Sequence, residues 1–159
     1  DAIGKGDVAQ VRELLNNGAD PNSTTGSNGE YVIFEAMYTD NDYDILRLLL
    51  DKGANIEVRA RAKANHRKSP LIHSMGGDSN KRALLFLERG ANVKTTDDFG
   101  GTALHSLAGA KGIPKGDKEV LLKILINSLK IQKKLITNNI EVTIQSISIL
   151  FTLFSSGLT

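Results

Sequence analysis

Apolar residues recur along this chain at helical spacing, in short blocks separated by polar, turn-rich stretches. Residues 7–15, 43–52, 80–89 and 117–127 each carry apolar side chains three and four positions apart, as Ile45, Leu48 and Leu49 or Val120 and Ile124 illustrate. That spacing puts them on one face of a helix. Asp or Asn stands at or beside each start, where a side-chain oxygen accepts from the unpaired N–H groups of a first turn. Gly18, Gly53 and Gly90 close the first three blocks, at the point where a helix ends in a left-handed residue and a Cβ would clash. Shorter helices are predicted to begin at Val32, Pro70 and Ala103, after Tyr31, Ser69 and Thr102. Pro70 suits a first helical position, having no N–H to lose. Residues 22–29 and 97–101 are rich in turn formers and predict projecting hairpins.

The blocks are copies of one unit. Two apolar residues, two spacers and Gly-Ala appear as Leu14-Leu15-Asn16-Asn17-Gly18-Ala19, as Leu49-Leu50-Asp51-Lys52-Gly53-Ala54 and as Phe86-Leu87-Glu88-Arg89-Gly90-Ala91. A degraded copy, Ile124-Leu125-Ile126-Asn127-Ser128-Leu129, follows at intervals of 35, 37 and 38 residues between the glycine positions. A second phrase trails each Gly-Ala: Tyr31-Val32-Ile33-Phe34, Ser69-Pro70-Leu71-Ile72 and Thr102-Ala103-Leu104-His105. The pattern resembles the ankyrin repeat, a unit of about 33 residues with a T-P-L-H-x-A signature. Residues 90–108 match best, and the resemblance covers roughly 2–129. Extra residues fall near Asn28 and Asn41, between Val58 and Lys68, and between Gly109 and Lys115. All lie between the apolar phrases, so the phrases are what the fold needs.

The resemblance implies an all-α fold, a solenoid of helix-loop-helix units with hairpin fingers. The repeats are placed at 2–22 (partial), 23–57, 58–94 and 95–129. Leu49, Leu87, Leu104 and Leu125 are expected between repeats. Gly18, Gly53, Gly90, Thr102 and His105 are expected to be structural, His105 by the hydrogen bonds with which the signature histidine links neighbouring hairpins in the family. The first repeat starts in mid-unit, which predicts an open N-terminal face. The chain begins at Asp1 without Met or an apolar leader and reads as a fragment or a processed chain. Residues 142–159 carry no charge. They are too polar for a span of about 20 apolar residues, and read as a degenerate cap, as a strand-like tail or as sequence foreign to the domain. With them, 130–159 is set apart from the stack at 1–129.

Composition is that of an ordinary folded protein, and the absence of cysteine excludes disulfides, thiolate chemistry and Cys-built zinc sites. It fits an intracellular, cytoplasmic location. Asp40, Asp42 and Asp44 imitate a calcium loop, but the sixth position is Ile45 and the twelfth Asp51 where Gly and Glu are required. An acidic helix N-terminus accounts for them. His66, His73 and His105 have no metal-ligand spacing and no oriented nucleophile. Gly109, Gly112 and Gly116 with Lys111, Lys115 and Lys118 lack the order of a phosphate loop and read as a connection between helices. No cofactor, metal or catalytic residue is expected.

Charge is the feature that stands out. Residues 23–57 hold seven acids against Arg47 and Lys52, whereas 58–94 hold nine bases against Asp78 and Glu88. Two readings compete: salt bridges between repeats, or a charge-selective surface. The lengthened finger at 58–68 bears Arg59, Arg61, Lys63, Arg67 and Lys68 with no acid among them. An extended Arg-Ala-Arg-Ala-Lys-Ala run would line these bases along one edge and meet an acidic partner. Tyr38, His73, Asp97, Asp98 and Phe99 complete the expected partner-contact set. The function that follows is a non-catalytic protein-binding scaffold. The alternative is a regulatory or targeting segment of a larger enzyme or channel, with catalysis outside this chain. Nucleic acid is disfavoured, because few aromatics accompany the bases, and a membrane is disfavoured by the absence of a span.

Overall fold

A computed structural model describes residues 2–25, 29–62, 65–76 and 80–155, with backbone alone at 132 and 142–155. Two compact units divide the chain, Asp1–Lys123 and Ile124–Thr159. The first holds helices α1 (Val8–Asn16), α2 (Val32–Ala36), α3 (Asp42–Asp51), α4 (Pro70–Ser74), α5 (Lys81–Glu88) and α6 (Ala103–Gly109). A two-stranded antiparallel ladder, β1 (Thr24–Thr25) with β2 (Glu30–Tyr31), pairs Thr24 with Tyr31 and Thr25 with Glu30.

These elements stack as a helical repeat solenoid. Within a repeat, α2 packs on α3 and α4 on α5; between repeats, α1, α3 and α5 form one layer and α4 with α6 the other. The short helices begin at Val32, Pro70 and Ala103, as the sequence predicts. Ser69 caps α4 by accepting from the Ile72 N–H at 3.4 Å, and Asp7 caps α1 by accepting from Gln10 at 3.0 Å. Asn41 does not cap α3: its amide reaches across instead to the Gly6 carbonyl at 2.8 Å. Gly18, Gly53 and Gly90 all adopt the left-handed region, with φ of +89°, +88° and +81°, and end α1, α3 and α5 as expected.

The core is made of Val11, Leu15, Ile33, Phe34, Ile45, Leu46, Leu49, Leu71, Ile72, Leu85, Phe86 and Leu107. Two expected core positions differ. Leu87 and Leu104 are half-buried, while Leu49 and Leu125 are each 1% exposed. In α5 the inward face is set by Ala83, Leu85 and Phe86, and in α6 by Ala103 and Leu107. Leu87 and Leu104 lie a further helical step round. Leu14 holds the position of Leu49 and Phe86 in its own repeat, yet is 47% exposed and lines an open apolar groove with Ala2, Ile3 and Val11.

Helix α7 (Lys115–Ser155) is a single helix of 41 residues. It runs through Ser128-Leu129, where the repeat pattern expects a helix end near Asn127. The reason is in the sequence: from 117 to 155 there is neither Gly nor Pro to stop it. Among the described residues of the second unit, Ile131, Leu135, Ile136 and Ile140 are exposed. No helix, among the described residues, is long and apolar enough to cross a membrane.

Candidate functional site

Three fingers stand side by side in the first unit: the β1–β2 hairpin, the lengthened finger at 58–68, and the turn at 95–101. The described residues of the middle one are tied together by their own backbone. Ala60 N–H donates to the Lys68 carbonyl at 3.0 Å, Asn65 to Ala62 at 2.9 Å and Lys68 to Asn65 at 3.0 Å, so the finger folds back on itself. His66 and Arg67 complete the turn with φ of +48° and +50°, which side chains adopt only when the surroundings hold them there. The finger thus brings Lys68 back beside Ala60, and Arg59, Arg61 and Arg67 line one open cleft rather than a single extended edge.

Each guanidinium is positioned by a neighbouring finger. Arg59 donates through Nη1 to the carbonyls of Arg67, at 3.0 Å, and of Thr96. Arg61 lies over the Tyr31 ring, 4.6 Å from its centroid, and donates to the Tyr31 hydroxyl at 3.1 Å and the Gly29 carbonyl at 3.4 Å. Arg67 Nε is 4.0 Å from Asp98 Oδ1, with both side chains largely in solvent. Together Tyr31, Arg59, Ala60, Arg61, Arg67 and Asp98 line an open cleft of about 690 Å³. Glu30 stands beside it with its carboxylate engaged by backbone, accepting from the N–H groups of Arg61 at 3.0 Å, Ala62 at 2.9 Å and Tyr31 at 3.1 Å.

The remaining predicted contact residues fall into separate groups. Lys63 lies outside the described residues. Lys68 is half-buried, and its charge is felt at His73. Tyr38 and His73 form a pair, hydroxyl to Nε2 at 2.7 Å, with Phe34 edge-on to the imidazole at 5.7 Å between centroids. Burial lowers the proton affinity of His73, reinforced by Lys68 and Arg82 and opposed by Glu30. Burial also raises the pKa of the Tyr38 hydroxyl, with Glu30 adding to the rise and Arg82 opposing it. Asp97 is spent on its own turn: its Oδ1 accepts from Phe99 at 3.0 Å and from Gly101 at 2.7 Å. Phe99 is 77% exposed and rests on the His66 ring, 4.7 Å between centroids. Thr102 and His105 brace the start of α6, where His105 Nδ1 accepts from the Thr102 N–H at 3.2 Å and lies 2.9 Å from its hydroxyl. These two bonds of His105 are local to one repeat.

Sequence reasoning missed Glu30 and Tyr31. Their signal was the departure of Tyr31 from the Thr expected at the head of the T-P-L-H phrase, with an acid directly before it. Part of the alternating charge is absorbed between repeats, since Arg82 pairs with Asp42 at 3.0 Å and Arg89 with Asp51 at 2.7 Å. Asp42, one member of the calcium-like trio, thus has a cationic partner. Among the described residues there is no group of three His, Asp or Glu side chains able to hold a metal.

Comparison with known proteins agrees with this architecture. A family model described as ankyrin repeats in three copies matches residues 1–97. The human protein SH3 and multiple ankyrin repeat domains protein 2 is similar, with 28% identity over 108 residues, covering 67% of this chain and 6% of that relative. The chain therefore spans only a small part of the length of that relative. Ankyrin repeats generally serve protein–protein interaction and are typically non-catalytic. With a match over more than half its length and the recurring helix pairs and left-handed glycines to go with it, this chain belongs to the ankyrin-repeat family.

Proposed function

We propose that the chain is a non-catalytic scaffold that holds a partner protein through its fingers and the adjoining face of the short helices, and that the middle finger selects an acidic surface. The observation that carries this reading is the cleft. Three arginines line it, two of them held by carbonyls and a tyrosine, against the single carboxylate of Asp98 in the lining. Groups held in place by neutral acceptors keep their charge for a partner, and complementary charge favours fast and selective association. The absence of cysteine suits a reducing compartment inside the cell.

Affinity capture with cross-linking identifies the partner, after which binding is measured across a salt series. Arg61→Gln with Arg67→Gln is the informative variant, because these two side chains are exposed, whereas Arg59 is half-buried and joins carbonyls of its own finger and the next. Weaker binding and a flatter salt dependence, with an unchanged unfolding midpoint, support the reading. Full affinity and an unaltered salt slope refute it. A second reading is that the stack targets or regulates a larger protein; it is favoured by the small share of the much longer human relative that the chain matches.

A further inference from the structure

We infer that the three-finger cleft receives a phosphorylated side chain of a partner peptide, a phosphoserine or phosphothreonine; this rests on the proposed acidic-partner reading and narrows it. Three observations lead there. The first is volume: about 690 Å³ falls in the range of sites that take a side chain with its flanking backbone, roughly 300–1,000 Å³. The second is the number and origin of the donors. Arg59, Arg61 and Arg67 enter from one finger but are anchored on different neighbours, at Thr96, at Tyr31 and beside Asp98. Among the described residues, Arg59 gives only its Nη1 to protein carbonyls and Arg61 only its two terminal nitrogens. A carboxylate has two oxygens and one charge, which a single guanidinium fork saturates. A phosphomonoester offers three acceptor oxygens and a charge of about −1.5 to −2 at neutral pH, enough to engage the remaining N–H groups of three guanidiniums at once.

The third is the state of the acids. Glu30 could cancel an arginine, but its carboxylate faces the N–H groups of Arg61, Ala62 and Tyr31. It therefore holds the backbone of the middle finger from beside the cleft. Asp98 sits at the outer limit of an ion pair, 4.0 Å from Arg67, with both side chains exposed. Such a contact is weak and readily exchanged for a stronger anion. The backbone arrives preorganised too: His66 and Arg67 already hold left-handed conformations, and Asp98 N–H is bonded to the His66 carbonyl at 3.1 Å.

The test is a nuclear magnetic resonance titration of the whole chain with three capped tripeptides, Gly-phosphoserine-Gly, Gly-Glu-Gly and Gly-Ser-Gly. The phosphopeptide is expected to shift the amides of 29–31, 58–62, 66–67 and 97–99, and to bind about tenfold tighter than the Glu peptide. Lowering the pH through the phosphate's second pKa of about 6 weakens it. Arg61→Gln and Arg67→Gln each reduce its affinity by about tenfold, with amide dispersion retained, and Asp98→Asn raises it. Equal affinity for the phosphopeptide and the Glu peptide overturns this inference and leaves the acidic-surface reading standing. Shifts elsewhere on the chain, no shifts at all, or indifference to both arginine substitutions overturn it as well. The acidic-surface reading fails separately, when the captured partner ignores the same two substitutions.

Discussion

Glu57 spans two repeats: its Oε1 accepts the N–H of Asn92 at 2.7 Å, and its Oε2 receives the Thr95 hydroxyl at 3.3 Å. One repeat earlier Asn22 does the same, accepting from Asn55 N–H at 2.7 Å and donating to the Gly53 carbonyl at 3.3 Å. Both side chains are aimed by a turn in which Asp20 or Asn55, two residues before, accepts the backbone N–H at 2.8 Å. Lys94 occupies the third such position and is aimed likewise by Asn92, at 3.0 Å. An ammonium has no lone pair to offer, so Lys94 cannot accept a backbone N–H from a following unit.

Glu57→Ala is accordingly expected to cost about 1–2 kcal/mol in urea unfolding, and Glu57→Gln less, since its carbonyl oxygen still accepts. Lys94→Ala at the end of the ladder changes stability by less than about 0.5 kcal/mol. Equal losses at the two positions would remove the ladder from the account.

Burial separates leucines that look alike in sequence. Leu49→Ala and Phe86→Ala, both at essentially inaccessible positions, should each cost about 2–5 kcal/mol. Leu87→Ala and Leu104→Ala, at half-buried positions, should cost about 1 kcal/mol. Chemical unfolding of the four variants checks the order, and a loss at Leu87 matching that at Phe86 contradicts it.

Short-range features were legible and long-range ones were not. Helix starts at Val32, Pro70 and Ala103 and stops at Gly18, Gly53 and Gly90 are local consequences of proline, capping residues and a missing Cβ. The continuation of α7 was also open to reading, as the lack of any Gly or Pro between Gly116 and Gly157. The cleft was different. Its walls depend on Glu30 meeting Arg61 and Ala62, some thirty positions on, and on Arg59 reaching Thr96. Both contacts arise from how inserted residues fold a finger back. Charge counted repeat by repeat showed the surplus of bases but not that three arginines of the middle finger line one open cleft.

The Asp97 carboxylate leaves no room for a Cβ at Gly101 as the turn stands. A Cβ built on Gly101 would lie 2.9 Å and 3.0 Å from the two Asp97 carboxylate oxygens, and Asp97 N–H donates to the Gly101 carbonyl at 2.9 Å. Gly101→Ala is expected to destabilise the chain by about 1–3 kcal/mol, as overpacking does, and to shift the amides of 97–101. The same amides in Asp97→Ala should exchange faster with solvent, because two of them lose their acceptor. Unchanged stability and exchange would mean that the turn holds without this carboxylate.

His73 makes stability depend on pH, and the sign follows from its surroundings. Its folded pKa is below the ordinary 6.5, because burial, Lys68 and Arg82 disfavour the imidazolium more than Glu30 favours it. Between the folded value and 6.5 the unfolded chain therefore binds more protons than the folded one. The contribution is fully present above that window, falls as pH drops through it, and is level below. Tyr38 keeps its proton at neutral pH, since its own pKa is raised, and can donate to the neutral ring across 2.7 Å. His73→Gln removes the titrating group but leaves an acceptor for Tyr38. The urea midpoint of the parent chain should drop more steeply than that of His73→Gln between about pH 7.5 and pH 5. The difference isolates His73 from every other group that titrates in the range. Parallel curves would show that the His73 imidazole takes up its proton as readily in the folded chain as in the unfolded one.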